Sequence, residues 1–172
     1  MRAEVAQRAA AFGMTLMAYT RTRGKFQPQG FQVQETETLD TLLSHADYIV
    51  LSLPLTPDTS GIISARELAL MKPAAFLINV ARGRHVITDD LVAALQAGHL
   101  AGAGLDVTDP EPLPPDSPLW RLPNVVLTPH VAGSIGNETR RMTEAMLDEI
   151  ERYIAGEDLL HQVDLATWDR AA

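Results

Sequence analysis

At 172 residues, 46% hydrophobic and 21% charged, the chain can bury one sizeable core and has the make-up of an ordinary globular domain. A formal net charge of -8 argues against nucleic acid or an anionic membrane surface as the main partner. With no cysteine there is no disulfide framework, thiolate nucleophile or zinc–thiolate cluster, and no run approaches the ~18 apolar residues of a membrane-spanning helix. The start of the chain lacks the apolar stretch of a signal peptide, so a cytoplasmic location is the default expectation.

Arg2 to Phe12 reads as an alanine-rich helix stopped by Gly13, and Met14 to Tyr19 as a strand. Thr20 to Gly30 is a polar connection holding Arg21, Arg23 and Lys25. Thr38 to His45 has a short helical pattern with Leu39, Leu42 and Leu43 on one face. Tyr48-Ile-Val-Leu-Ser-Leu53 reads as a buried strand closed by Pro54. Ser64-Ala-Arg-Glu67 has the form of a capping box, in which each side chain satisfies a backbone N–H beside the other, and it starts a helix ending near Met71.

Phe76, Leu77 and Ile78 make the apolar run expected of a strand buried on both faces. The run leads straight into Asn79-Val-Ala-Arg-Gly83, where an amide, an arginine and a glycine replace the aliphatic pattern. Thr88 can cap the next helix, whose first turn holds Asp89 and Asp90 and whose end is marked by Gly98. Gly102 to Val107 and Asn124 to Thr128 read as two more strands, separated by an irregular stretch with five prolines between Pro110 and Pro118. The last helix runs from about Asn137 to Ala155, with Met142, Met146, Ile150 and Ile154 on one stripe read as core, and Gly156 as its stop. Leu159, Leu160, Val163 and Trp168 make a tail too apolar to be free, expected to cover a surface.

Helix alternating with buried strand predicts an α/β fold, a doubly wound parallel sheet of Rossmann type with right-handed crossovers. In such sheets ligands bind outside the carboxyl ends of the strands, so the polar cluster after Ile78 is where chemistry is expected. A Rossmann domain also carries G-x-G-x-x-G after its first strand, and this chain has none; Gly102 and Gly104 open a strand rather than follow one.

Three stretches resemble the motifs of one family, the D-isomer-specific 2-hydroxyacid dehydrogenases. Asn79-Val-Ala-Arg-Gly83 resembles the arginine motif, Asp109-Pro-Glu-Pro112 the glutamate motif, and Thr128-Pro-His-Val-Ala-Gly133 the histidine motif, in the same order along the chain. The likeness implies that the chain starts inside the family's first helix, with Arg2 where the third glycine would stand, so that the fold is truncated at its N-terminus. Residues 1–134 would then be a partial dinucleotide-binding domain, and residues 135–172 a helix and tail returning to a substrate domain. On that basis these residues alone are expected to be a poor catalyst.

The guanidinium fork of Arg82 matches a carboxylate bidentately, and the resemblance implies that it holds a 2-oxo or 2-hydroxy acid. An imidazole titrates near neutrality, which suits His130 to general acid/base work, with Glu111 to hydrogen-bond and orient it. The plain alternatives are a strand-end arginine paired with an aspartate, a histidine satisfied by backbone, and a solvated glutamate. Side chains hold no hydride source, so the chemistry needs a nicotinamide. The resemblance puts Asp106 near the nicotinamide amide, Pro54 on the adenine side, and Thr59 and Ala81 along the dinucleotide, with Gly133 of the histidine motif beside them. Asp106 could equally cap the proline-rich loop.

An NAD site places a carboxylate for the ribose hydroxyls at the position that ends the Met14–Tyr19 strand; here Thr20 is followed by Arg21, Thr22 and Arg23, which favours NADP, or else marks a solvated basic loop. No metal is implied. The expected partners are a small 2-oxo or 2-hydroxy acid, such as glyoxylate or hydroxypyruvate, and a second copy of the chain as a homodimer. A corepressor-like module that senses dinucleotide without turnover, or an inactive truncated copy, are the rival readings.

Overall fold

The computed structural model describes residues 2–20, 24, 28, 30–133 and 136–162. Arg21, Arg23, Lys25, Val163 and Trp168 lie outside the described residues. Helix α1 (Arg2–Ala11) is followed by two short strands, β1 (Met17–Ala18) and β2 (Gln34–Glu35), which pair in parallel. Only two residues of the Met14–Tyr19 stretch enter a ladder. Strand β2, polar and two residues long, has no hydrophobic alternation by which a sequence could announce it.

The remaining elements are α2 (Leu39–His45), β3 (Tyr48–Leu51), α3 (Ala65–Leu70), β4 (Phe76–Asn79), α4 (Thr88–Gln96), β5 (Gly102–Leu105), β6 (Val125–Leu127) and α5 (Glu138–Ala155). Strands β3, β4, β5 and β6 form a parallel sheet in that order, each joined to the next through a helix or the irregular proline-rich excursion. Leu43 of α2, Leu68 of α3, and Leu91 and Leu95 of α4 pack with Ile49, Leu51, Leu77, Ala103 and Leu105 in one buried cluster. The parallel order and flanking helices are those of the Rossmann type.

That core lies on one face of the sheet. The other face carries Tyr48, Val50, Phe76 and Val126, all exposed, with the Tyr48 and Phe76 rings stacked 5.3 Å apart. Strands β3 and β4 are therefore half-buried rather than buried on both faces, because no described helix seals that side.

Local signals at helix ends come out unevenly. The Thr38 hydroxyl accepts from the Thr41 N–H at 3.1 Å and starts α2. At α3 the capping box of Ser64 and Glu67 is present. The Glu67 carboxylate accepts from the Ser64 N–H at 3.1 Å, the Ser64 hydroxyl also donates to that carboxylate at 2.5 Å, and Asp90 of α4 takes the Ala65 N–H at 2.8 Å. Thr88 does not cap α4: the cap position is Ile87, and the Thr88 hydroxyl donates to the Asp109 carbonyl at 2.8 Å. Met142 and Met146 are exposed rather than core, since nothing described covers the stripe they share on α5. Leu159 and Leu160 are exposed as well, and the Leu160 and His161 N–H groups fold back onto Glu149, each at 3.0 Å.

Candidate active site at the carboxyl edge of the sheet

In-register pairing of Leu51 with Asn79, Asn79 with Leu105, and Leu105 with Leu127 brings four strand ends to one edge. Backbone hydrogen bonds continue past the strands: Asp106 N–H to Asn79 O at 3.0 Å, Thr128 N–H to Leu105 O at 3.0 Å, and His130 N–H to Asp106 O at 2.9 Å. Pro54, Arg82, Asp106 and His130 thus follow neighbouring strands out of the same edge.

His130 has φ 55, a left-handed conformation that a side chain with a Cβ rarely takes. Asp106 holds it there. One carboxylate oxygen accepts from the Thr128 hydroxyl at 2.5 Å and the Val131 N–H at 2.8 Å, and the other from the Ala132 N–H at 2.8 Å. Left-handed backbone costs about 1–2 kcal/mol, whereas each hydrogen bond to a charged group contributes roughly 1.5–3 kcal/mol, so the bonds win. Burial pushes the Asp106 carboxyl up, but the Thr128 hydroxyl and the Ala132 and Val131 N–H groups outweigh it and hold the group below the ordinary aspartate range.

The His130 imidazole meets Glu111: Nδ1 and Oε1 are 2.7 Å apart. Glu111 stands in the loop after β5, and that loop is fixed from several sides. Thr88 holds the Asp109 carbonyl, Thr108 donates to the Pro110 carbonyl at 2.9 Å, and Gly83 lies against the Thr108 backbone. A Cβ built on Gly83 would come within 1.9 Å of the Thr108 carbonyl oxygen, so only glycine lets the turn after Arg82 approach the loop that carries Glu111.

Arg82 enters that turn from β4. Buried Asn79 shapes it: its Nδ2 donates to the Arg82 carbonyl at 2.9 Å and its Oδ1 accepts from the Ala81 N–H at 3.1 Å. Arg82 Nη1 donates to the Ala81 carbonyl at 2.7 Å, and no carboxylate among the described residues pairs with the exposed guanidinium. Asn79 and His85, the latter fully buried, were not singled out in the sequence as site residues. The available signal was spacing, since His85 stands three residues after Arg82 and closes a 3-10 turn at Gly83–His85.

The other candidate residues scatter along the edge. The Thr59 hydroxyl donates to the Pro54 carbonyl at 2.8 Å and accepts from the Thr56 N–H at 2.8 Å, so its hydrogen bonds close its own loop. Ala81 is buried, while Pro54 and Gly133 are exposed with room beside the Gly133 backbone. Asp106 directs its oxygens at the His130 turn and not at the proline-rich loop. Thr20 follows β1, and Arg21 lies outside the described residues. Among the described residues no group of three or more His, Asp or Glu side chains could hold a metal ion.

A family model for the D-isomer specific 2-hydroxyacid dehydrogenase, NAD binding domain, matches residues 3–132. The chain belongs to this family. It is 44% identical to a glyoxylate/hydroxypyruvate reductase B of Pectobacterium carotovorum over 155 residues, covering 89% of this chain and 48% of that protein. A D-isomer specific 2-hydroxyacid dehydrogenase of Xanthobacter autotrophicus, solved with NADPH and MES, superposes with a TM-score of 0.82 at 40% identity over 94% of this chain and 66% of that one. An NADPH-dependent glyoxylate/hydroxypyruvate reductase of Sinorhizobium meliloti, solved with NADP and sulfate, gives 0.82 at 36% identity, over 94% and 51%. The chain spans about half the length of the curated relatives it matches. No helix among the described residues is long and apolar enough to cross a membrane.

Proposed function

We propose that the chain is the cofactor-binding portion of an NAD(P)-dependent dehydrogenase that interconverts small 2-oxo and D-2-hydroxy acids, glyoxylate and hydroxypyruvate first among them. The observation that carries this is the meeting of His130 and Glu111 at 2.7 Å on the edge that also bears Arg82, whose guanidinium has no carboxylate partner among the described residues. Sensing a dinucleotide needs no such trio, which disfavours a pure binding module.

The residues at the edge fit a dinucleotide: Pro54, after β3, lies on the adenine side, Ala81, after β4, lies along the dinucleotide, and Gly133 leaves open backbone beside the His130 turn, where the nicotinamide would sit. Bound there, the nicotinamide supplies or receives the hydride. Arg82 would take the acid's carboxylate in its fork and polarise the neighbouring carbonyl. Glu111 occupies His130 Nδ1, which leaves Nε2 as the nitrogen that delivers a proton to the substrate oxygen and recovers it in the reverse direction. Thr20, Arg21 and Thr59 complete the proposed cofactor set. The basic residues after Thr20 favour NADP over NAD, as does the likeness to relatives solved with NADP or NADPH.

Residues 1–134 form the dinucleotide-binding unit in this reading, and 135–172 serve contacts beyond it. A cytoplasmic homodimer is the expected setting, given the apolar stripe on α5. The test is NADPH and NADH oxidation with glyoxylate and hydroxypyruvate, by the chain alone and with any coding sequence found upstream of Met1, against His130→Ala. Loss of turnover on removing the imidazole is expected, by a factor of roughly 100 or more. Turnover untouched by that change would overturn the assignment.

A further inference from the structure

We propose that His85 is a positioning residue that couples Arg82 to the Pro54–Thr59 loop through its two ring nitrogens. The inference rests on the role given above to Arg82. His85 is completely buried in the turn that follows the arginine. Its Nδ1 lies 3.3 Å from the Arg82 backbone N and 3.0 Å from the Arg82 carbonyl oxygen, and its Nε2 lies 3.3 Å from the Pro54 carbonyl oxygen.

Satisfaction of these groups selects one arrangement. Both carbonyls can only accept, so a single ring proton serves one of them: on Nε2 it meets Pro54 O, on Nδ1 it meets Arg82 O. The Arg82 carbonyl already accepts from Asn79 Nδ2 at 2.9 Å and from the His85 backbone N–H at 3.2 Å. Among the described residues the Arg82 N–H has no other acceptor, so a bare Nδ1 serves it. The neutral Nε2–H tautomer meets both demands at once, and a buried N–H left without an acceptor would be costly.

The Pro54 carbonyl accepts from the Thr59 hydroxyl as well as from His85. A line of contacts therefore runs from Thr59 through Pro54 and the imidazole to the backbone of Arg82. Backbone bonds run beside it: Gly61 N–H to Arg84 O at 2.8 Å and Ile63 N–H to His85 O at 3.0 Å. The loop after β3 and the turn after β4 thus move as one body, and the imidazole is the part that reaches from the middle of one to the start of the other. A hydrocarbon of equal size could fill the space but could neither accept at one end nor donate at the other.

The two nitrogens can be separated by substitution. His85→Asn keeps an acceptor near Nδ1 and loses the reach to Pro54; His85→Gln keeps a donor near Nε2 and loses the acceptor for Arg82. In the 172-residue chain, hydrogen exchange followed by NMR should show the Arg82 amide protected in His85→Asn and exchanging roughly 3–10-fold faster in His85→Gln, the loss of about one hydrogen bond. Ring-nitrogen shifts of His85 in the unsubstituted chain should report a bare Nδ1 and a protonated Nε2. In the NADPH-dependent assay, run on whichever form turns over glyoxylate (the chain alone or with coding sequence found upstream of Met1), His85→Gln should raise the KM for glyoxylate by a similar factor, and His85→Asn should act mainly on NADPH affinity. Equal effects of the two variants on both sites, or a protonated Nδ1, would overturn the proposal. Arg82→Ala separates it from the broader reading: if that change leaves glyoxylate kinetics unaltered, the role of Arg82 falls, while exchange and ring shifts still decide whether His85 holds its backbone.

Discussion

At the scale of residues, the site is built by groups that spend their hydrogen bonds on shape. Asp106 is the clearest case, since both carboxylate oxygens serve the turn that presents His130. Asp106→Asn would replace one acceptor oxygen by an amide facing a donor, leaving at least one of the Thr128, Val131 and Ala132 donors unmatched. A loss of about 1–3 kcal/mol in urea unfolding is expected, together with a fall in turnover, as the left-handed His130 relaxes away from Glu111. Unchanged unfolding would show that the turn holds itself. The motif residues Arg82, Glu111 and His130 were legible in the sequence because their chemistry is distinctive. Asn79 and His85 were not, because what they do is bond to backbone, and an amide or an imidazole gives no sign in sequence of which carbonyl it will meet.

Elements were legible to the degree that they carry a periodic pattern. Strands β3 to β6 and the five α-helices of the described residues fall where apolar runs and helical periodicity put them, to within a few residues, whereas β2 has too little pattern to read. Cap partners were less legible, because they come from other elements: Asp90 of α4 caps α3, and Thr88 binds the Glu111 loop. The pH response of α3 belongs at this scale. Hydrogen bonding from the Ser64 hydroxyl, ahead of the opposing effect of burial and a further contribution from Arg66, pulls the Glu67 carboxyl from 4.5 down to about 2. The folded value lies below the unfolded one, so this stabilisation is whole above about pH 4.5 and is lost as the pH falls towards 2. Glu67→Gln should therefore destabilise the protein by on the order of 2 kcal/mol at pH 7 and leave it nearly unaffected at pH 2. Urea midpoints at the two pH values measure this; an equal deficit at both would mean that Glu67 acts through packing instead of charge.

For the whole molecule, stability is concentrated under one face of the four-stranded sheet, where Leu43, Leu68, Leu77 and Leu91 are all at 1% exposure or less. Helix α5 lies at the other extreme: none of its residues is buried, and Met142 and Ile154 stand at 72% and 79% exposure. Spacing in the sequence shows that a helix has an apolar stripe, but the stripe's direction says nothing about whether a cover is present, so Met142 and Met146 read as core without being so. Apolar surface contributes only when removed from water, at roughly 25 cal/mol per Å², and a helix of 18 residues without tertiary cover is marginal. At concentrations where the chain is monomeric, amide exchange in α5 should accordingly be within a few-fold of an unfolded chain, while the amides of β4 and β5 exchange only through global unfolding. Under the same conditions, deleting residues 138–172 should shift Tm by no more than about 2–4 °C, which corresponds to ~1 kcal/mol for a chain of this size. Should α5 prove as well protected as β4, and its protection grow with protein concentration, its stripe is covered in solution by a second copy, and the helix belongs to the stable core of a dimer instead of to the edge of one chain.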